Sequence, residues 1–189
     1  MRVVTGLVRF CVLLLLPAVA LAVDVGERAP EFTLPAIDTS VQPITLSDYQ
    51  GKVVYLDFWS SWCAPCRRAM PQLSDLRDIH SRDRFEVVAI NVDAVTDDGR
   101  QFLKQVPVSY PVAADASGSA AERYGVSALP AAFLIDAQGI VQRVFRGKQV
   151  EDFAVISSLV DELTSAAPST SSQAGGKRGA VASLVGKDR

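Results

Sequence analysis

One stretch narrows the folds open to this chain more than any other: VVYLDFW, Val53 to Trp59, apolar at every position except Asp57. A strand with one wet face alternates apolar and polar residues, whereas a strand without alternation is covered on both faces. The run therefore predicts a central strand of a sheet held between helices. FEVVAINVD, Phe85 to Asp93, predicts a second buried strand.

Between the two runs lies SSWCAPC, and after it RRAMPQLSDLRDIHSRD, in which Met70, Leu73, Leu76 and Ile79 recur every three residues. That spacing lines one face of a helix, with Pro71 expected to kink it. His80 falls on the polar face, where a surface position without a partner is expected. A helix that begins beside the carboxyl end of a central strand occupies a favoured place for chemistry.

The remaining segments complete the pattern. GERAPEFTLPAID and PITLSDYQGK, within residues 24–50, partly alternate around turn-prone Asp38, Ser40 and Pro43 and predict a β-hairpin leading into the core. DDGRQFLKQV reads as a short helix and SYPVAAD as a short strand. SGSAAERYGV reads as a helix opened by Ser117 and closed near Gly125. AAFLIDAQGIVQRVFRG gives two apolar runs around Asp136 to Gly139, a hairpin signal, and Val150 to Leu163 closes as an amphipathic helix. The expected fold class is α/β: a central mixed sheet flanked by helices on both faces, with an N-terminal β-hairpin extension.

A chain of 189 residues suffices for one domain, expected over 24–164, plus appendages. Residues 1–22 carry Arg2 and Arg9 ahead of an apolar run broken by Pro17 and end in Ala18-Val19-Ala20-Leu21-Ala22, as a secretory signal does. The run is shorter than the roughly 20 residues of a membrane-spanning helix, and an uncleaved anchor is the alternative. The protein is thus expected to be exported, and periplasmic in a Gram-negative cell. Residues 165–189, rich in Ser, Ala and Gly, read as a disordered tail. With 19 basic against 21 acidic side chains there is no net positive field, and no nucleic-acid partner is expected.

Of the three cysteines, Cys11 sits in the apolar leader, which leaves Cys63 and Cys66. Four zinc ligands are lacking, because His80 is the sole imidazole, and no metal site is expected. Two thiolates could hold Cu(I), with Met70 as a further soft ligand, and a passive disulfide closing so small a loop would stabilise little. Redox exchange has the strongest physical case. A thiolate at a helix start faces unpaired N–H groups that lower its pKa below the free value of about 8.5. Cys66, one turn inside on the same side, is placed to resolve a mixed disulfide, and Pro65 fits a first turn.

DFWSSWCAPCRRAMP resembles the active-site segment of the thioredoxin superfamily, and the chain from about Gly26 to Leu163 resembles its exported TlpA/ResA-like, AhpC/TSA-related branch. The opening GERAPEFTLPAID, the approach ITLSDYQGKVVYLDFW, Pro71 five residues after Cys66, and GVSALPAAFLID all match in order. The resemblance implies a cofactor-free protein-disulfide oxidoreductase with Cys63 as nucleophile, Cys66 as resolving thiol and a redox-active Cys63–Cys66 disulfide. It further implies that Asp57 is a buried carboxylate serving Cys66 as proton partner. Pro130 corresponds to a cis-proline shaping a groove in which the backbone at Leu129 pairs with an incoming peptide. Trp62, Ala64 and Pro65 correspond to the substrate-binding rim, while Trp59 is either an active-site aromatic or plain core. The sequence departs from thioredoxin at Ala89, where the family suggests a lysine partner for Asp57, so Asp57 is expected to titrate high.

The implied partners are proteins with disulfides or dithiols, and a membrane thiol-electron transporter that keeps a monomeric protein reduced. Cytochrome c maturation, copper-site assembly and general disulfide reduction are the implied clients, the first weakened by the lack of a GAPET-like run near Leu129. Two alternatives stand beside this reading. A thiol peroxidase shares the AP-x-F-x-L opening but needs a P-x-x-x-T-x-x-C setting that is absent around Cys63. A Cu(I)-binding carrier would use the same two thiols.

Overall fold

The computed structural model describes residues 22–166. The expected leader, apart from Ala22, and the tail beyond Ala166 lie outside the described residues. In chain order the elements are strands β1 (Thr33–Leu34), β2 (Ile44–Thr45) and β3 (Val53–Trp59), helix α1 (Ala64–Ile79), β4 (Phe85–Asn91) and α2 (Thr96–Gln105). There follow β5 (Val112–Ala114), α3 (Ser119–Arg123), β6 (Ala131–Ile135), β7 (Val141–Arg146) and α4 (Phe153–Ala166). Two 3-10 segments, Leu46–Tyr49 and Gly147–Glu151, join them.

Five strands form one sheet in the order β5-β4-β3-β6-β7. β3 pairs parallel to β4 and antiparallel to β6, so the sheet is mixed, and β3 lies at its centre. All seven residues of β3 and of β4 are buried, as their lack of alternation requires. Successive side chains point to opposite faces. Val53, Tyr55 and Trp59 pack with Met70, Leu73 and Leu76 of α1 and Ile156 and Val160 of α4. Val54, Leu56 and Phe58 pack on the other side with Ala120 of α3 and Tyr124. Each fully buried large side chain, such as Trp59, Phe58 or Phe85, contributes about 1.5–3 kcal/mol through area removed from water.

The N-terminal extension covers the second face. β1 and β2 form a hairpin of only two paired residues per strand, while Ala29, Phe32, Leu34, Ala36 and Leu46 fill that face of the core. Its polar groups are tied down as well: Tyr124 donates its hydroxyl to the Pro30 carbonyl at 2.9 Å.

Three local expectations change. Ser117 does not cap α3. The N-cap is Gly118, in the left-handed region at φ 73°, and the carboxylate of Asp115 accepts from the N–H groups of Ala120 and Ala121 at 2.9 and 3.0 Å. An ionised oxygen satisfies free helix-start donors better than a hydroxyl, and Asp115 is within reach because the chain turns at Gly118. The closing helix begins at Phe153, after a 3-10 turn, and continues through Ser165 and Ala166, where Thr164 and Ser165 donate back to Val160 and Asp161 carbonyls at 2.7 Å. His80 is no surface residue. It ends α1 with its side chain 8 % exposed, Nδ1 2.8 Å from the Leu76 carbonyl, Nε2 3.2 Å from Asp161 on α4, and its ring against Phe85.

Candidate active site

The chain leaves the carboxyl end of β3 at Trp59 and turns through Ser60 to Trp62, and α1 begins at Ala64. Cys63 is the N-cap of α1, with Pro65 in the first turn. The Cys66 N–H points at Cys63 Sγ across 3.3 Å, so the helix start directs a donor at the sulfur. Cys63 and Cys66 are joined as a disulfide, with Cα atoms 5.3 Å apart. Beside them Trp62 is 71 % exposed, Ala64 is exposed and Pro65 half-buried. Trp59 is wholly buried and packs on Phe102 of α2, whose ring also carries the Arg67 guanidinium at 5.7 Å.

Asp57 sits one turn of the pleat below Trp59, on the same face of β3, and is 2 % exposed. Its register partners are Ala89 on β4 and Ala132 on β6. With no cation beside it among the described residues, burial pushes its carboxyl up to about 7.

The Leu129–Pro130 peptide is cis. Because Ala131 pairs with Phe58, Pro130 falls at the level of Trp59, at the end of the sheet from which the cysteine turn departs. Pro130 is buried, Leu129 half-buried, and Ser127 and Ala128 are exposed. Among the described residues the main chain of Ser127 to Leu129 makes no hydrogen bond, which leaves its N–H and C=O groups free for another chain.

Sequence reasoning missed the buttress of the cysteine turn. Asp93, 3 % exposed, accepts from the Ser61 N–H at 3.0 and 3.2 Å and from Asn91 Nδ2 at 2.8 Å. The side chain of Asn91 in turn lies where a Cβ on Gly99 of α2 would stand, 2.7 Å away. The available signal was two polar residues, Asn91 and Asp93, ending an apolar strand.

A model of the AhpC/TSA family matches residues 25–144. The chain belongs to the AhpC/TSA family. Among curated relatives, the thiol-disulfide oxidoreductase ResA of Bacillus thuringiensis subsp. konkukian (strain 97-27) is 35% identical over 129 residues, which cover 68% of this chain and 73% of that protein. ResA of Bacillus subtilis (strain 168) is 35% identical over 130 residues, covering 69% and 72%. Among solved structures, a putative thiol:disulfide interchange protein DsbE from Chlorobium tepidum matches with a TM-score of 0.71 and 39% identity, covering 76% of this chain and 99% of that one. A putative protein disulfide isomerase from Bacteroides thetaiotaomicron matches with a TM-score of 0.67 and 29% identity, covering 76% and 91%. This AhpC/TSA family member thus has the thioredoxin-like fold and is a thiol-disulfide oxidoreductase. No helix among its described residues is long and apolar enough to cross a membrane.

Proposed function

We propose that the protein is an exported donor of electrons to disulfides in other proteins, with Cys63 as the attacking thiolate and Cys66 as the resolving thiol. The observation that carries this reading is the placement of Cys63 as N-cap of α1 with the Cys66 N–H aimed at its sulfur. In the reduced protein that donor and the helix start favour the thiolate, the attacking species.

Cys63 thiolate attacks one sulfur of a client disulfide. The client S–S bond breaks, a Cys63–client disulfide forms and the first client thiolate leaves. Cys66 gives its proton to Asp57 and attacks Cys63 Sγ, which forms the Cys63–Cys66 disulfide and frees the second client thiolate. Two electrons pass to the client, and a membrane dithiol donor returns them. The client segment lies along Trp62, Ala64 and Pro65 and pairs with the free main chain at Leu129, next to Pro130. Asp57 supports the donor direction. Once ionised, with Ala89 in place of a cation, it repels thiolate below the turn and so disfavours the dithiol relative to the disulfide. On this reading the protein acts as a monomer on disulfides of partner proteins.

The test combines two variants with a potential. Cys63→Ser abolishes reduction of insulin disulfides, and Cys66→Ser stalls as a mixed disulfide whose partner is then identified. Equilibration with glutathione gives a potential below about −230 mV for a donor. A value near about −120 mV, or activity retained in Cys63→Ser, overturns the reading.

A further inference from the structure

The face of β3 below the cysteines is unusual in its polar content. Tyr55, Asp57 and Trp59 alternate along that face, and Tyr55 Oη, Asp57 Oδ2 and Trp59 Nε1 are buried with no hydrogen-bond partner among the described residues. Buried polar atoms are nearly always paired, so three on one strand face call for a reason. The strands on either side offer none, because Ala89 and Ala132 flank Asp57.

One further polar group reaches this region from outside the strand. Tyr110, just before Pro111 and β5, is 5 % exposed and packs in the same core cluster as Tyr55 and Trp59, two residues before Val112, whose pairing partner Ala89 stands beside Asp57. Its hydroxyl donates to the Met70 carbonyl at 3.5 Å, the long limit of such a bond, and is therefore weakly held. Tyr110 also lines a surface cleft of about 520 Å3, together with Ile37, Val41 and Tyr49 of the N-terminal extension and Pro107 and Val108 after α2. No residue of the cysteine turn or of the 127–130 segment lines that cleft. One side chain thus touches solvent on one side and the neighbourhood of the buried carboxylate on the other.

The position matters because Asp57 has to be reset after it takes the Cys66 proton. At 2 % exposure the carboxyl has no direct path of its own to solvent. We propose that Tyr110 is a positioning residue for the exchange reaction: its hydroxyl, with water held by Tyr55 and Asp57, passes the proton from Asp57 to the cleft. The step balances. Asp57 gives up one proton toward the Tyr110 oxygen as Tyr110 releases its own to cleft water. Asp57 ends as a carboxylate, Tyr110 ends neutral as it began, and no electron moves. The transfer is concerted, since burial and the neighbouring Asp57 both hold the Tyr110 phenol far above its ordinary range and disfavour a free phenolate.

This inference rests on the assignment of Asp57 as proton partner of Cys66, and the test separates the two. Tyr110→Phe keeps the ring and removes one long hydrogen bond, so its thermal midpoint stays close to that of the parent protein. Its insulin-reduction rate at pH 7 is expected to fall about tenfold or more, as loss of a proton-transfer group does. Alkylation of Cys63 and the reduction potential, which do not involve the relay, stay unchanged, and imidazole added as a diffusible proton carrier restores the rate. Asp57→Asn is slowed as well, and adding Tyr110→Phe to it slows it no further. If Tyr110→Phe turns over like the parent while Asp57→Asn is slow, the relay is wrong and the role of Asp57 stands. An unaffected Asp57→Asn overturns both. Slowing of Tyr110→Phe that imidazole leaves in place, or that is matched by slower Cys63 alkylation, marks a structural effect and overturns the relay.

Discussion

Asp57 faces Ala89 across the β3–β4 ladder, where a methyl group stands in place of a cation. Among the described residues a carboxylate in that position has neither solvent nor counter-charge, and burial accounts for its rise to about 7.

The first prediction follows from that rise. Folding lifts the Asp57 pKa from 3.8 to about 7, so between these values the native state holds a proton that the unfolded chain has lost. Stability therefore falls as pH rises through this window, and the full cost is present above it. Asp57→Asn is expected to be more stable than the parent by roughly 2–4 kcal/mol at pH 8, and by little at pH 4. Urea unfolding of the oxidised proteins at both pH values checks this, and a gain that does not depend on pH would rule it out.

Asp93 bonds the N–H of Ser61 two residues before Cys63, so its removal reaches the active site through the turn. Asp93→Ala leaves the Ser61 N–H and the Asn91 amide without their acceptor, at a cost of about 1–3 kcal/mol. Slower insulin reduction is expected along with the lower stability. Equal activity per folded molecule would show that the turn holds its shape without Asp93.

At Gly99 two effects oppose each other. Alanine in a helix is worth up to about 1 kcal/mol over glycine. A Cβ there, however, meets the fully buried Asn91 side chain at 2.7–2.8 Å, and Asn91 is bonded to Asp93. The clash wins: Gly99→Ala is expected to lower the thermal midpoint, and a raised midpoint would refute the assignment.

Arg77 of α1 makes a bidentate pair with Glu86 of β4, at 2.5 and 2.9 Å, and also donates to the Ser109 carbonyl. Arg77→Met leaves Glu86 buried without its partner and is expected to cost about 3–5 kcal/mol. The double variant Arg77→Met, Glu86→Leu should recover most of that loss in denaturant unfolding. If the double variant is as unstable as the single one, packing rather than charge accounts for the cost.

The readability of this chain varied with the range of the interaction. Val53–Trp59 and Phe85–Asp93 announce buried strands because a segment without a polar face has only one kind of place to go, and the second ends at Asn91 in the fold. The hairpin around Asp136 to Gly139 was equally plain, since the turn residues lie between the runs they join. By contrast, the sequence offered Ser117 as the cap, and only the turn at Gly118 brings the Asp115 carboxylate to the helix start instead. His80 looked like a solvated helix residue because Asp161, its partner, lies far along the chain on α4.

The active site divides in the same way. The sequence by itself placed two thiols three apart at a helix start after a buried strand, because that placement needs only local geometry. What lies beneath and beside them was decided by the tertiary structure. Strand register sets Ala89 against Asp57, the antiparallel return of β6 brings Pro130 level with Trp59, and the segment before β5 sets Tyr110 in the lining of the cleft. The physical reason is that a side chain's charge state and access to solvent depend on neighbours supplied by other strands. Those neighbours are set by packing of the whole sheet rather than by local sequence.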